Sequence, residues 1–301
     1  MNFFQKSIFF GLSFLFYSFA AQADVKTDIK VVTTIKPLHS LISRIMESRG
    51  EPQLIIEGTN NPHTFVFKPS HAEMLEEADI VFWIGEDLEA FMEKPLDSLA
   101  KNAKKIAFME SESIEKLKFR EKNIFDDHDD HKHGEFDAHI WLDPENAKEM
   151  VKIIRDELIK IDPEGQRQYS VNTAGATLEL DNLINNVEKE LSKDISYVVF
   201  HDAYQYFETR FGVTSAGALT LNPDVLPGAK QIADIQDLIR DKGIKCIFSE
   251  PQYNPKIIET LGNDMNISTG VMDPLGAFIE EGPSMYGELI NGITNSIKEC
   301  H

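Results

Sequence analysis

Cysteine and positive charge are both scarce in this chain. Only 2 of its 301 residues are cysteine, too few for the disulfide framework of a miniprotein or for a four-thiolate zinc site. Lysine and arginine number 30 against 50 aspartates and glutamates, a net charge of -20. Because nucleic-acid binding relies on cations that contact phosphates, this balance argues against a nucleic-acid partner. Hydrophobic residues make up 42% of the chain, enough to build a core, and the length predicts two lobes.

The first 23 residues predict an export signal. Lys6 supplies a positive charge, residues 8–19 form a short apolar run, and Ala21-Gln22-Ala23 is a small-residue cleavage motif. The apolar run is shorter than the roughly 20 residues that span a bilayer, which favours a cleaved signal peptide over a membrane anchor. We therefore expect residues 1–23 to be removed near Ala23 and the mature protein to reside in the periplasm.

Short apolar runs alternate with amphipathic segments along the chain. This alternation predicts an α/β fold with two lobes, each with a mainly parallel sheet flanked by helices. We place an N-terminal lobe at 24–163 and a C-terminal lobe at 194–301. The predicted strands are 30–35, 53–56, 79–84 and 105–108 in the first lobe and 197–200, 213–216, 245–248 and 267–272 in the second.

A long helix is predicted between the lobes, over residues 163–193, with 164–193 as the linking segment. Leu180, Ile184 and Val187 fall on one face of it. Thirty helical residues reach about 45 Å, enough to run the height of a lobe and to resist wide hinge bending. The alternative is a pair of helices broken near Gly175.

Residues 126–135 are a low-complexity tract of aspartate and histidine. Three histidines occur within six residues there, His128, His131 and His133. The tract has nothing to bury, so we expect an acidic loop. Such tracts bind transition metals loosely, which predicts an auxiliary metal-binding role, and a solvated charge run without specific function is the alternative.

Familiar enzyme motifs are missing from the sequence. It contains no HExxH, no GxSxG, no phosphate-cradling glycine loop and no CxxC. We therefore predict that the protein is not an enzyme.

Three other histidines occupy informative positions. His63 follows the predicted strand 53–56, His139 precedes a helix expected to begin near Pro144, and His201 ends the predicted strand 197–200. In open α/β sheets, ligands bind outside the carboxyl ends of the strands. Each histidine alone is more typical of a turn or cap. Together they favour a shared metal site in the cleft between the lobes.

Imidazole ligands suit zinc, copper, nickel and iron, whereas magnesium, calcium and manganese prefer oxygen. Three histidines and one oxygen make a tetrahedral zinc set. Two alternatives remain for the fourth position, Asp273, which follows a predicted strand, and a water molecule. The other interpretation of Asp273 is a turn or helix cap.

A series of ordered motifs runs along nearly the whole mature chain. They are Thr34-Ile35-Lys36-Pro37-Leu38-His39, His63 followed by Lys68-Pro69-Ser70, Ala78-Asp79-Ile80-Val81-Phe82-Trp83-Ile84-Gly85, His139-Ile140-Trp141-Leu142-Asp143-Pro144, Phe200-His201-Asp202-Ala203-Tyr204, Glu250-Pro251-Gln252 and Asp273-Pro274-Leu275-Gly276. Together they resemble the metal-specific solute-binding proteins of ABC importers (cluster A-I, or cluster 9). Within that family the resemblance is to the zinc-binding periplasmic branch.

The resemblance implies two α/β lobes joined by a rigid helix, with metal held between them by His63, His139 and His201. Manganese relatives typically carry a carboxylate where His201 stands, so this histidine implies zinc. Some zinc relatives place a glutamate directly before the first ligand histidine, where this chain has Pro62. Water is therefore expected as the fourth ligand ahead of Asp273.

The zinc branch also has a disulfide, which the resemblance assigns to Cys246 and Cys300. An oxidising compartment favours this bond on general grounds as well, and two free cysteines are the alternative. The tract at 126–135 matches the acidic histidine-rich loop of the family.

We accordingly expect high-affinity capture of Zn²⁺ in the periplasm and its delivery to an inner-membrane ABC permease. Zinc is then the transported substrate, and we expect the protein to be a monomer. Ligand histidines must be neutral, so capture should weaken as the pH falls through about 6.5.

Two rival functions use the same residues. A zinc hydrolase or lyase also presents three histidines and an open position, with Glu250 or Asp202 as a candidate general base. The favoured interpretation of these two carboxylates is that one of them orients a ligand histidine. A manganese binder or metal-dependent adhesin is the other rival.

Overall fold

The computed structural model describes residues 29–120, 122–124, 136–221 and 226–300. The predicted signal peptide at 1–23 and the histidine- and aspartate-rich loop at 126–135, with His128, His131 and His133, lie outside the described residues.

The first lobe is built on a four-stranded parallel sheet with the order β2-β1-β3-β4. Strands β1 and β3 are apolar runs whose residues are all buried, as expected where helices cover both faces of a parallel sheet. In chain order the elements are β1 (Val31–Thr33), α1 (Lys36–Met46), β2 (Gln53–Leu54), α2 (Pro69–Glu77), β3 (Ile80–Trp83), α3 (Glu86–Glu89), α4 (Glu93–Ser98) and β4 (Lys104–Ala107).

Two long helices follow the first sheet. Helix α5 (Pro144–Ile161) begins where the Asp143 side chain accepts from the Glu145 backbone N–H, and α6 (Gln166–Glu190) packs against α5 and α1. Helix α6 is the joining helix, and the sequence prediction of one continuous helix is confirmed. Its 25 residues run through Gly175, where an added Cβ would lie 2.6 Å from the Arg44 guanidinium. The glycine therefore serves close packing of α1, and the helix does not break there.

The second lobe repeats the topology of the first. Its parallel sheet has the order β6-β5-β7-β8. Its elements are β5 (Ser196–His201), α7 (Gln205–Phe211), β6 (Thr214–Thr220), α8 (Ala229–Lys242), β7 (Cys246–Ser249), α9 (Lys256–Met265), β8 (Ser268–Val271) and α10 (Met285–Lys298). All eight predicted strands are therefore present, and the two-lobed α/β fold is confirmed. Their ends differ by a few residues, most for β6, which continues to Thr220.

A disulfide joins Cys246, the first residue of β7, to Cys300, just beyond α10. The predicted pairing is confirmed. It fixes the last helix to the second sheet.

One hydrophobic core continues from the first sheet through α5 and α6 into the second lobe, and a second cluster packs within that lobe around Val198, Ile247 and Leu261. Tyr286 of α10 connects the lobes directly, because its backbone N–H donates to the Ser40 hydroxyl and its own hydroxyl donates to the carbonyl of Trp141. None of the helices within the described ranges has the length and apolar character needed to cross a bilayer.

Candidate metal centre

His201 is the last residue of β5 and is buried. The neighbouring strand β7 ends one residue before Glu250, so the parallel pairing of β5 and β7 brings the two side chains to the same edge of the sheet. His201 Nδ1 lies 2.8 Å from both carboxylate oxygens of Glu250. Because β6 and β7 lie on opposite sides of β5, this edge is the point where the strand order reverses and where ligands bind in open α/β sheets.

His139 is oriented by a carboxylate from its own segment. It precedes a single 3₁₀ turn, Ile140–Leu142, that leads into α5. Oδ1 of Asp137 accepts from the His139 backbone N–H at 2.9 Å and lies 2.7 Å from its Nδ1. The Asp137 backbone is itself fixed, since its carbonyl accepts from the Tyr206 hydroxyl at 2.6 Å.

These two carboxylates determine where the imidazole protons reside. A carboxylate at Nδ1 keeps that nitrogen protonated, so the Nε2 lone pair is free to bind a metal. The Nε2 atoms of His139 and His201 face each other at 3.3 Å. In a tetrahedral site with Zn–N bonds of about 2.0–2.1 Å, ligand nitrogens lie about 3.3–3.4 Å apart. The pair therefore already has the spacing of two zinc ligands.

His63 approaches from the first lobe on a 3₁₀ turn, Pro62–Thr64. The Asn61 side chain fixes the turn: it accepts from the His63 backbone N–H at 2.9 Å and donates to the Tyr253 hydroxyl at 3.0 Å. The ring of His63 lies 5.7 Å from that of His139 and 5.9 Å from that of His201, centroid to centroid. Among the described residues its buried Nε2 has no hydrogen-bond partner, so this nitrogen is available to an ion.

The three predicted histidines thus converge. One ring nitrogen of each lies within 4.8 Å of the other two. They line a cavity of about 10 Å³, which is room for about one water-sized sphere. The other residues around it are Asn61, Pro62, Trp141, Glu250, Gln252, Tyr253, Pro274 and Leu275.

The protonation equilibria of His63 and His201 differ. Burial, together with repulsion by His139 and His201, lowers the pKa of His63 to about 2, so this histidine is neutral at physiological pH. Burial also acts to lower the pKa of His201, but the charge of Glu250 and its hydrogen bond outweigh burial and raise that pKa above its ordinary value. Both effects follow from surroundings that the fold fixes.

Asp273 is not part of this group. One of its oxygens accepts from the Gln252 side chain and the Leu275 backbone N–H, both at 3.0 Å, and the other accepts from the Ala277 backbone N–H at 2.5 Å. The structure thus favours the turn-cap interpretation of Asp273 over the ligand interpretation. Water remains as the alternative for the fourth position.

The two candidate general bases are also engaged. Glu250 directs both oxygens at His201, and Asp202 forms a 2.8 Å ion pair with Arg120. Sequence reasoning identified the three histidines but overlooked Asp137, although its place two residues before His139 was a usable signal. It also overlooked Asn61 and Tyr253, whose contact across the site depends on tertiary structure alone.

Comparison with known proteins identifies similar chains over nearly the full length. Residues 31–300 match the family described as "ZnuA: Zinc-uptake complex component A periplasmic". The high-affinity zinc uptake system protein ZnuA of Brucella abortus (strain 2308) is 41% identical over 303 residues, covering 90% of this chain and 91% of that protein. The protein of the same name from Yersinia pestis is 31% identical over 288 residues, covering 90% of each.

Solved structures agree in fold. A crystal structure of ZnuA superposes with a TM-score of 0.79 at 22% identity, covering 91% of this chain and 99% of that one. The periplasmic zinc-binding protein TroA from Treponema pallidum gives a TM-score of 0.76 at 20% identity, with 91% and 99% covered. Both share the fold of this chain.

Proposed function

Because the chain belongs to the ZnuA family of periplasmic zinc-uptake components, we propose that it captures Zn²⁺ in the periplasm with high affinity and delivers it to an inner-membrane ABC permease. The observation that carries this proposal is the buried convergence of three imidazole nitrogens, two of them preset by carboxylates. Zinc is the cargo of this protein and leaves it unchanged.

His63, His139 and His201 are the proposed ligands, with water as the fourth. The preset pair, His139 and His201, offers two lone pairs at 3.3 Å, and a cation between them removes the mutual repulsion of those lone pairs. His63 then supplies the third protein ligand of the tetrahedral site. The Asp137 and Glu250 carboxylates fix the orientation and tautomer of the two imidazoles they contact and offset part of the ion's charge.

The donor set supports zinc over manganese. All three converging groups are imidazoles, whereas manganese favours carboxylate, carbonyl and water oxygens. The two nearest carboxylates contact the Nδ1 atoms of the histidines and are thereby held as hydrogen-bond acceptors.

A binding role fits the cavity better than a hydrolytic one. A cavity of about 10 Å³ accommodates an ion or a water molecule but no organic substrate. Glu250 and Asp202 are already committed to His201 and Arg120. We therefore propose a non-enzymatic role.

The cellular setting follows from the same proposal. The predicted signal peptide would direct export and be cleaved near Ala23, and the mature chain would act as a monomer. The loop at 126–135 would collect zinc near the site as an auxiliary element, with weak sites on His128, His131 and His133.

Calorimetric zinc titration of the metal-stripped mature protein tests the proposal, with a variant lacking residues 126–135 alongside. We expect one tight site that survives the deletion and is lost in His139→Ala. His71→Ala is the matched control, because His71 is another histidine of the first lobe that is not one of the three converging ones, and its Nδ1 accepts from the Lys68 backbone N–H at the start of α2. Loss of all tight binding on deletion of 126–135 would contradict the proposal and place the site in the loop.

A further inference from the structure

A lysine of the first lobe donates into a cage of carbonyls from the second. Lys36 is the first residue of α1 and is buried. Its ammonium donates to the backbone carbonyl of Gly276 at 3.2 Å, of Ala277 at 3.1 Å and of Ile279 at 2.5 Å. The three acceptors belong to the segment 273–279, which lies between β8 and α10.

The cage satisfies the ammonium completely. A lysine ammonium has three donors and no acceptor, and here each donor has one carbonyl. Such pairing makes burial of the charge tolerable. Because all three bonds join one lobe to the other, moving the lobes apart at this point must break them together.

The same segment forms part of the wall over the three histidines. Pro274 and Leu275 line the metal cavity, and they immediately precede the first carbonyl of the cage. The Pro274 carbonyl accepts from the Trp141 indole N–H at 2.8 Å, and Asp273 caps the turn internally through the backbone N–H groups of Leu275 and Ala277. The segment is therefore internally rigid, so a force on its carbonyls is transmitted to its cavity-lining residues.

We propose that Lys36 is a positioning residue for zinc retention. It contacts none of the three histidines. Its ammonium holds the segment 273–279 against the site and thereby sets the rate at which zinc leaves. The inference rests on the proposed function, since it concerns release of the ion bound by His63, His139 and His201.

The test is the zinc dissociation rate of Lys36→Met, measured by stopped flow with an excess of a fluorescent chelator. We expect dissociation at least tenfold faster than in the wild-type protein, with the association rate unchanged within twofold, because hydrogen bonds from a charged donor are among the stronger ones in proteins. Arg44→Met is the matched control. Arg44 also lies on α1, but its ion pairs go to Glu47 and Glu179, away from the second sheet.

Two further measurements separate positioning from general damage to the fold. The cobalt-substituted variant should keep the wild-type d–d absorption spectrum, because its ligands are unchanged. Rescue uses Lys36→Cys: the native cysteines are disulfide-bonded, so the introduced thiol is the single free one. Alkylation of the unfolded chain with 2-bromoethylamine restores an ammonium of similar reach, and slow zinc dissociation should return after refolding. This second variant also decides the question if Lys36→Met does not fold.

Unchanged dissociation in Lys36→Met would overturn the inference, and so would faster dissociation in Lys36→Cys that aminoethylation of its thiol does not correct. A wild-type protein that binds no zinc would instead refute the proposed function, so the two failures are distinguishable.

Discussion

The site has two differently prepared parts. His139 and His201 are buried, and each is fixed at Nδ1 by a carboxylate, Asp137 or Glu250, at 2.7–2.8 Å. His63 has no such carboxylate among the described residues. Its backbone is held by the turn that Asn61 caps, and its buried Nε2 has no hydrogen-bond partner within the described ranges.

This difference indicates an order of binding. The preset pair loses little freedom when it takes an ion, so its affinity is not reduced by the cost of ordering the ligands. His63 lies in the first lobe, as His139 does, but on a short 3₁₀ turn, and among the described residues no carboxylate holds its ring. It is therefore the ligand whose withdrawal would start release. The predictions below test this division, from the largest expected change in zinc affinity to the smallest.

Removal of a histidine should have the largest effect. Zinc binding of about 10–16 kcal/mol shared among four ligands is about 2.5–4 kcal/mol each, a factor of about 70–900 in affinity. We expect His139→Ala and His201→Ala to weaken binding on the order of a thousandfold, since each also leaves a buried carboxylate unpaired, and His63→Ala to cost about a hundredfold. Competition titration against a chelator of known affinity measures all three. If His63→Ala lowered zinc affinity as much as the other two variants, the distinction between His63 and the preset pair would not hold.

Removal of an orienting group comes next. Glu250→Gln and Asp137→Asn should each weaken zinc binding by about 10–100-fold, because such outer carboxylates fix the tautomer and the orientation of the ligand imidazoles. Asn61→Ala, which frees the turn of His63, should cost less than tenfold. The same chelator competition applies. Asn61→Ala exceeding both carboxylate variants would reverse our assignment of the preset pair.

Acidification should act through His201 before His63. The raised pKa of His201 means that it accepts a proton above pH 6.5, while His63, with a pKa of about 2, stays neutral. As the pH is lowered, zinc affinity should therefore begin to fall while the pH is still above 6.5. The folding stability of the zinc-free protein should change with pH in the opposite sense to zinc affinity. Protonated His201 beside Glu250 stabilises the fold below pH 6.5, and this contribution is lost as the pH rises through the raised pKa.

Zinc titrations between pH 8 and pH 5 on the wild-type protein and on Glu250→Gln test this predicted pH dependence of zinc affinity. Relative to its own value at pH 8, the zinc affinity of the variant should begin to fall at a lower pH than that of the wild-type protein does, because Glu250 no longer raises the pKa of His201. A shift toward higher pH would mean that Glu250 is not what raises the pKa of His201.

Removal of the disulfide should change zinc affinity least. The bond lies at the start of β7, at the other end of the strand from Glu250. We expect the double variant Cys246→Ala and Cys300→Ala to change zinc affinity less than threefold. Its free energy of unfolding should fall by about 4 kcal/mol, as the chain-entropy model predicts for the loop that the disulfide closes between the two cysteines. Urea unfolding and zinc titration of one preparation measure both. A tenfold loss of affinity would show that the preset pair depends on this anchor.

Pattern and resemblance together predicted much of this molecule for identifiable reasons. Strands such as 79–84 can be predicted from their apolar runs, because both faces of a parallel sheet are buried. His201 was recognisable because it directly ends such a run. Helix α6 was predicted through Gly175, although the reason the glycine is tolerated, Arg44 packed against it, is tertiary.

The rest depended on contacts between distant residues. Glu250 lies 49 positions from His201, and Lys36 lies 240 from Gly276. The periodicity of neighbouring residues along the sequence carries no information on such contacts. Asp273 shows the opposite difficulty: its place after a strand suits a ligand and a turn cap equally, and only its hydrogen bonds distinguish the two.

The three-histidine site is tested most directly by zinc K-edge X-ray absorption on the zinc-loaded protein lacking residues 126–135, since that deletion removes the loop imidazoles. We predict three imidazole nitrogens and one further oxygen at about 2.0–2.1 Å. Two or fewer imidazoles, or a shell made mainly of oxygen, would contradict a site formed by His63, His139 and His201.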